Sequence, residues 1–379
     1  MSSPKREGRF PGRIPGRPGL WEVSLEDDLI TSLVCRDESF SSVKCLWLTP
    51  GLFDLQINGI SGVNFTDASL TPDQIARADE VIRSSGVSRY CPTIITSSFE
   101  TARAVLATFG QEWKAGRLPA AWAIHLEGPW ISEQDGARGI HRREHVRGVS
   151  LSEWDALRAA AGGRIGLLTL APEKPGAARL ITKAAKAGTV VSLGHTAASP
   201  REISAAVAAG ARMSTHLFNG CMRLLDRHSN VIYSQLSEDA LYACFIADGH
   251  HVPFPTLRIG IRTKGVGRSI LVSDLAHLSG LPDGDYEMEG NAVELRDGGL
   301  RVKATGLLSG AARTLLQDVE LLARESEPGI EAALLMATLS PATAVGQQAW
   351  AELKPGRKGP LGVFSWDGAR LLLEERVGF

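Results

Sequence analysis

The stretch TVVSLGHTAASPREISAAVAAGARMSTHLF, residues Thr189–Phe218, holds a complete strand, helix and second strand in a short space. It opens on the apolar run from Thr189 to His195 and passes into an Ala-rich segment of helical period, Pro200 to Ala209. Gly210 stands just past the last periodic residue, the position where a left-handed backbone ends a helix. A second apolar run, Arg212 to Phe218, follows. A change from strand-like runs to helical period and back is the pattern of a βα unit. Both runs become polar only at one end, at His195 and His216.

The same alternation extends in both directions. The runs LWLTPGLFDLQI, SRYCPTII, AWAIHLE, RIGLLTLAP, TVVSLGH, RMSTHLF, LYACFIAD and SILVSD make eight. Helical candidates lie between them at Thr71 to Ser85, Glu100 to Lys114, Ser152 to Ala161, Ala177 to Ala187 and Pro200 to Ala209. Eight such units predict an α/β fold, a (β/α)8 TIM-type barrel; an open doubly wound sheet would also accommodate the count. The ends of the chain read differently. WEVSLEDDLITSLV alternates on both sides of an acidic turn, and GVFSWDGARLLLEE sets Asp367 and Gly368 between two apolar runs, a type I′ turn pair. These hairpins are too short to fold alone and predict one small discontinuous β-sandwich domain, residues 1–48 with 347–379, around a barrel of residues 49–346. Whether the Arg/Pro/Gly-rich first 15 or so residues are ordered is not decided by the sequence.

Composition sets the class. The 379 residues are 44% hydrophobic and 22% charged, and 41 Lys and Arg nearly cancel 42 Asp and Glu. That excludes a disordered, collagen-like or strongly nucleic-acid-binding chain. No apolar run reaches the roughly 18 residues of a membrane span, and the first 20 residues lack the apolar core of a secretory signal, so a cytoplasmic protein without membrane or nucleic-acid partners is expected. Cys35, Cys45, Cys91, Cys221 and Cys244 are odd in number and form no CxxC pair. Reduced, mostly buried thiols are expected rather than disulfides or a thiolate metal site.

A barrel builds its active site where the strands run out at the C-terminal face. The polar residues there are Gln56 and Asn58, Thr93, Glu127, Glu173, His195, His216, Asp248 with His250 and His251, and Asp274. One carboxylate and two imidazoles, from Glu127, His195 and His216, suit a catalytic divalent metal with a fourth position left open; zinc is the leading candidate. Asp274 closes the eighth run and suits proton transfer to and from the reacting groups. His125 and His145 read as structural, and Cys221 and Met222 as packing. The cluster Arg138, Arg142, Arg143 and Arg147 is either a solvated loop face or an attractor of anionic substrates.

Together PGLFDLQING (Pro50–Gly59), HLEGPWIS (His125–Ser132), LTLAPE (Leu168–Glu173), LGHTAAS (Leu193–Ser199), STHLFNG (Ser214–Gly220), ADGHHV (Ala247–Val252) and LVSD (Leu271–Asp274) resemble the N-acetylglucosamine-6-phosphate deacetylase family of the amidohydrolase superfamily. The resemblance runs from about Thr49 to Gly346, and KPGRKGPLGVF (Lys354–Phe364) resembles the family's return into its small β domain. It implies metal ligation by Glu127, His195 and His216 and a catalytic acid/base at Asp274. It also implies sugar-phosphate contacts from Ile140, His141, Asn219, Gly220, Arg227, His251, Leu308 and Ser309, with Arg227 reaching the neighbouring site of a homodimer. His141 would also donate to the developing oxyanion. Many amidohydrolases hold a second metal with an HxH motif at the end of strand one, where this chain has Gln56, Ile57 and Asn58. Amides are poor substitutes for imidazole, so one metal ion per subunit is expected. The chain departs from the family pattern at Gly220 to Met222, His228 to Asn230 and Leu275 to His277.

The reaction expected from these residues is removal of the acetyl group from N-acetylglucosamine 6-phosphate, giving glucosamine 6-phosphate and acetate. A related amidohydrolase acting on another acylated amine or an unphosphorylated acetylated sugar also fits, as does, more remotely, a non-catalytic barrel that binds a sugar phosphate.

Overall fold

The computed structural model describes residues 7–36, 45–327 and 329–379. Eight parallel strands form the barrel in chain order: Leu52–Ile57, Val87–Ile95, Ile124–Glu127, Ile165–Leu170, Val190–Leu193, Ala211–Ser214, Tyr242–Phe245 and Ser269–Leu271. Each overlaps one of the eight apolar runs, Val87 and Ala211 standing one residue ahead of theirs. The first and last strands meet through a parallel bridge from Ile57 to Leu275, with Asn58 N donating to Leu275 O at 2.8 Å. The five expected helices appear as Pro72–Ser84, Phe99–Lys114, Leu151–Ala160, Ala177–Lys186 and Pro200–Ala209.

One run contains two strands. Leu46–Thr49 belongs to the terminal sheet and Leu52–Ile57 to the barrel. Pro50 cannot donate to a ladder, and Gly51 turns the chain at φ +83°. A Cβ on Gly51 would also lie 2.5 Å from the Ser88 hydroxyl, so the corner requires glycine.

Two core layers follow from strand alternation. Leu52, Ile94, Leu126, Leu168 and Leu193 pack outward with helix residues such as Ile75, Leu106, Leu180 and Ile203. Phe53, Leu55, Cys91, Leu167, Met213, Cys244 and Ile270 form a second cluster that draws together strands one, two, four, six, seven and eight, which places it inside the barrel with Trp350.

The terminal sheet has six strands in the order Leu371–Val377, Leu361–Trp366, Leu46–Thr49, Glu7–Ile14, Arg17–Glu26 and Leu29–Arg36. Its two halves share one core of Val23, Leu25, Ile30, Leu48, Leu361 and Val363. Of the first 15 residues, whose order the sequence leaves open, Glu7–Ile14 form a strand paired along Arg17–Glu26, while residues 1–6 lie outside the described part. The expected turn at Asp367 and Gly368 is a four-residue loop: Trp366 pairs with Leu371, and Asp367 Oδ1 accepts from the backbone of Ala369 and Arg370. Two-residue turns occur instead at Asp27–Asp28, Glu289–Gly290 and Asp297–Gly298, all with positive φ as type I′ demands. The last two belong to a three-stranded sheet, Gly284–Met288, Asn291–Arg296 and Gly299–Val302, inserted after the eighth barrel strand.

The thiols are less buried than expected. Cys91 and Cys244 are buried, Cys221 is intermediate, and Cys35 and Cys45 are exposed.

Candidate active site

The strand ends converge on a cavity of about 490 Å³ whose lining includes Asn58, Glu127, His141, His195, His216, His251 and Asp274. Glu127 is the last residue of its strand; His195 and His216 stand two residues beyond theirs. His195, His216 and Asp274 all adopt positive φ, at 49°, 29° and 52°. For non-glycine residues such backbone is costly, and it gathers where surrounding structure holds a functional side chain in place.

Nε2 of His195 is the hub. It lies 3.3 Å from Glu127 Oε1, 3.0 Å from His216 Nε2 and 3.2 Å from His141 Nε2, and His216 Nε2 is 3.2 Å from the same Glu127 oxygen. His195 Nδ1 is 3.0 Å from the Ala137 carbonyl, which fixes its proton there and leaves the Nε2 lone pair facing the others. Lone pairs at this spacing repel unless a cation sits among them. Ligands at about 2.0 to 2.1 Å around a tetrahedral ion are themselves about 3.3 Å apart, so the donor set fits a divalent metal. The structure adds His141, buried and on the loop after the third strand, to the groups that could hold the ion.

Electrostatics agree with this convergence. Burial alone would raise the Glu127 carboxyl, but the adjoining imidazoles of His195 and His216 hold it well below its usual range. His141 is pushed well below an ordinary histidine by burial and by His195, so it is neutral. Asp274 is raised by burial and by the Glu127 charge, against the opposing effects of His216, His251 and Asn58. His251 Nδ1 bonds Asp248 at 2.7 Å, which leaves Nε2 available, and despite burial this bond helps push the Asp248 carboxyl down to about 2.

Gln56 and Asn58 occupy the strand-one positions as hydrogen-bond donors. Gln56 Nε2 reaches Glu127 Oε1 and Asp274 Oδ1, each at 3.0 Å, and Asn58 Nδ2 reaches Asp274 Oδ1 at 2.8 Å. Gly220 has φ +57°, and a Cβ there would come within 3.1 Å of both His195 and His216. The departure from the family pattern at this position therefore sits against the imidazoles.

Ile140, Asn219, Gly220 and Leu308 also line the cavity. Ser309 does not: it is buried, with its hydroxyl on Met288 Sδ at 3.4 Å. Arg227 is exposed and lies outside the cavity of its own chain. Glu173 caps the loop after strand five, accepting from Thr196 Oγ1 and Ala197 N, and Thr93 lies within its strand. His125 is buried among Leu55 O and Thr169 Oγ1 and lowered to about 4 by burial, in keeping with a structural role. The arginine cluster is neutralised by Asp135, Glu289 and Glu153, which favours a loop face over an anion attractor. Sequence reasoning missed Arg223, Met288 and Arg301 in the lining. The Asp297–Gly298 turn pair was the available signal for the hairpin that carries Arg301.

No protein-family model matches the chain. The N-acetylglucosamine-6-phosphate deacetylase of Vibrio furnissii is 31% identical over 302 residues, covering 79% of this chain and 74% of that protein. The N-acetylgalactosamine-6-phosphate deacetylase of Escherichia coli O157:H7 is 31% identical over 342 residues, covering 89% and 88%. The structure of an N-acetyl-D-glucosamine-6-phosphate deacetylase variant from Mycobacterium smegmatis, in complex with N-acetyl-D-glucosamine-6-phosphate, superposes with a TM-score of 0.82 at 26% identity over 93% of this chain and 94% of that one. With a relative 31% identical over 79% of its length and a matching barrel, the chain belongs to the N-acetylglucosamine-6-phosphate deacetylase family.

Proposed function

We propose that the protein hydrolyses the acetamide of N-acetylglucosamine 6-phosphate to glucosamine 6-phosphate and acetate. The observation that carries this reading is the convergence of Glu127, His195 and His216 on one point of the cavity, with Asp274 beside them, in a chain of this family.

Glu127 Oε1, His195 Nε2 and His216 Nε2 would hold one divalent ion, zinc by the character of the set. When bound, the ion supplies Lewis acidity to the amide carbonyl and lowers the pKa of the reacting water. Asp274 then takes the water's proton and returns it to the departing nitrogen, without which an amine is a very poor leaving group. Gln56 and Asn58 both donate to Oδ1 of Asp274, leaving Oδ2 for the proton. His141 is neutral; with its hydrogen on Nε2 it would stand outside the ion's ligands and donate to the developing oxyanion. Ile140, Asn219, Gly220, His251 and Leu308 would hold the sugar.

Arg227, exposed and outside its own cavity, would serve the phosphate from a second copy in a homodimer. No helix among the described residues is long and apolar enough to cross a membrane, and a cytoplasmic location fits this small-molecule chemistry. A domain division at residues 1–48 with 347–379, and 49–346, remains our reading, although Thr49 pairs within the terminal sheet and Trp350 packs with the barrel's inner cluster. The Escherichia coli relative supports a second substrate, the galactosamine epimer. Acetate release from both phosphorylated epimers and from unphosphorylated N-acetylglucosamine tests the proposal; release from the unphosphorylated sugar alone would overturn it.

A further inference from the structure

Arg223 and Arg301 come from distant parts of the chain, one from the loop after the sixth barrel strand and one from the inserted three-stranded sheet, yet both line the same cavity. Arg223 Nη2 lies 3.4 Å from Thr305 O and Arg301 Nη1 3.5 Å from Gly306 O, so the two guanidinium groups reach adjacent carbonyls of one turn. Neither has a carboxylate partner among the described residues, whereas Arg138, Arg142, Arg143 and Arg147 all do. The other charged lining groups, Glu127 and Asp274 with the histidines, belong to the catalytic floor.

Two unneutralised guanidinium groups on one turn repel each other, and a shared anion relieves that repulsion. Their planar donors match phosphate oxygens in pairs. The cavity lining therefore carries two exposed arginines besides its reacting groups. We propose that Arg223 and Arg301 clamp the substrate's phosphate from within the same subunit, in addition to the charge that Arg227 would bring from a second copy. This inference rests on the deacetylase reading and names residues that set its preference for a phosphorylated sugar.

The test uses metal-loaded wild type, the R223A/R301A double variant and the R223K/R301K double variant. Kinetics are measured on N-acetylglucosamine with and without the 6-phosphate, and inorganic phosphate binding is measured by calorimetry. The ratio of kcat/KM for the phosphorylated over the unphosphorylated sugar should fall roughly ten- to hundredfold in the alanine variant, the scale of losing charge-assisted hydrogen bonds, mainly through KM. The lysine variant should recover part of it, and phosphate should bind at least tenfold more weakly to the alanine variant. An unchanged ratio with unchanged phosphate binding would overturn the clamp. A wild type that cleaves neither sugar, yet binds phosphate through these arginines, would overturn the deacetylase reading and support the clamp.

Discussion

Gln56 donates to Oδ1 of Asp274 at 3.0 Å and, from the same nitrogen, to Oε1 of Glu127 at 3.0 Å. An amide thus fills the space between the proposed acid/base and the proposed ligand, where an imidazole would bring a lone pair. The first prediction follows: metal analysis of carefully loaded protein should give close to one equivalent per chain. Two tightly held ions, both needed for activity, would contradict it. The Q56H/N58H variant should admit a second ion.

Asp274→Asn keeps the size of the side chain but removes its proton-accepting role. Metal content should stay near wild type while kcat falls roughly a hundredfold or more, as for loss of general acid-base help. Wild-type turnover in this variant would reduce Asp274 to a structural residue and move the proton to His141.

Below the site, Asp54 ties the first strand to the last. Its Oδ1 accepts from Gln56 N at 3.1 Å and Ser273 N at 3.2 Å, and Oδ2 is buried without a partner among the described residues. Burial raises this carboxyl from 3.8 to about 7, against the hydrogen bonds from Ser273 and Gln56. A raised acid binds its proton more tightly folded than unfolded. Its ionisation therefore opposes folding progressively from about pH 4 to about pH 7 and by a constant amount above, roughly 4 kcal/mol in all. Asp54→Asn retains the acceptor and removes the titration. Chemical unfolding of metal-free protein at pH 5 and pH 8 should show the variant gaining stability relative to wild type at the higher pH. Parallel behaviour of the two proteins would show that Asp54 is already ionised when folded.

Arg227 separates the two sources of phosphate recognition. If a second copy supplies it, sedimentation should show a dimer, and Arg227→Ala should raise KM for the phosphorylated sugar while scarcely affecting the unphosphorylated one. A fully active monomer would remove Arg227 from the site and leave the charge to Arg223 and Arg301.

The barrel was legible because each strand keeps its polarity at one end: Glu127, His195, His216 and Asp274 stand out against apolar runs, and the structure brings all four to one cavity. The inserted sheet was not legible. Its strands are short and partly exposed, as in GDYEM, so their alternation is mixed with charge. Its turns, Glu289–Gly290 and Asp297–Gly298, were the readable signal, yet the same Asp-Gly pair at 367–368 makes a longer loop because the Asp367 carboxylate bonds the backbone ahead of it. Arg223 and Arg301 share a cavity only through that insertion, a long-range placement that no local pattern encodes. His141 was readable as a substrate contact, but its approach to His195 depends on how the loop after the third strand folds back.

The most direct test of metal-dependent deacetylation is the initial rate of acetate release from N-acetylglucosamine 6-phosphate by three samples: holoprotein, protein stripped by a chelator, and stripped protein given one equivalent of zinc. The account predicts robust release, loss to background on stripping, and recovery with the single equivalent. Full activity in the stripped protein, or no acetate from the holoprotein, would contradict it.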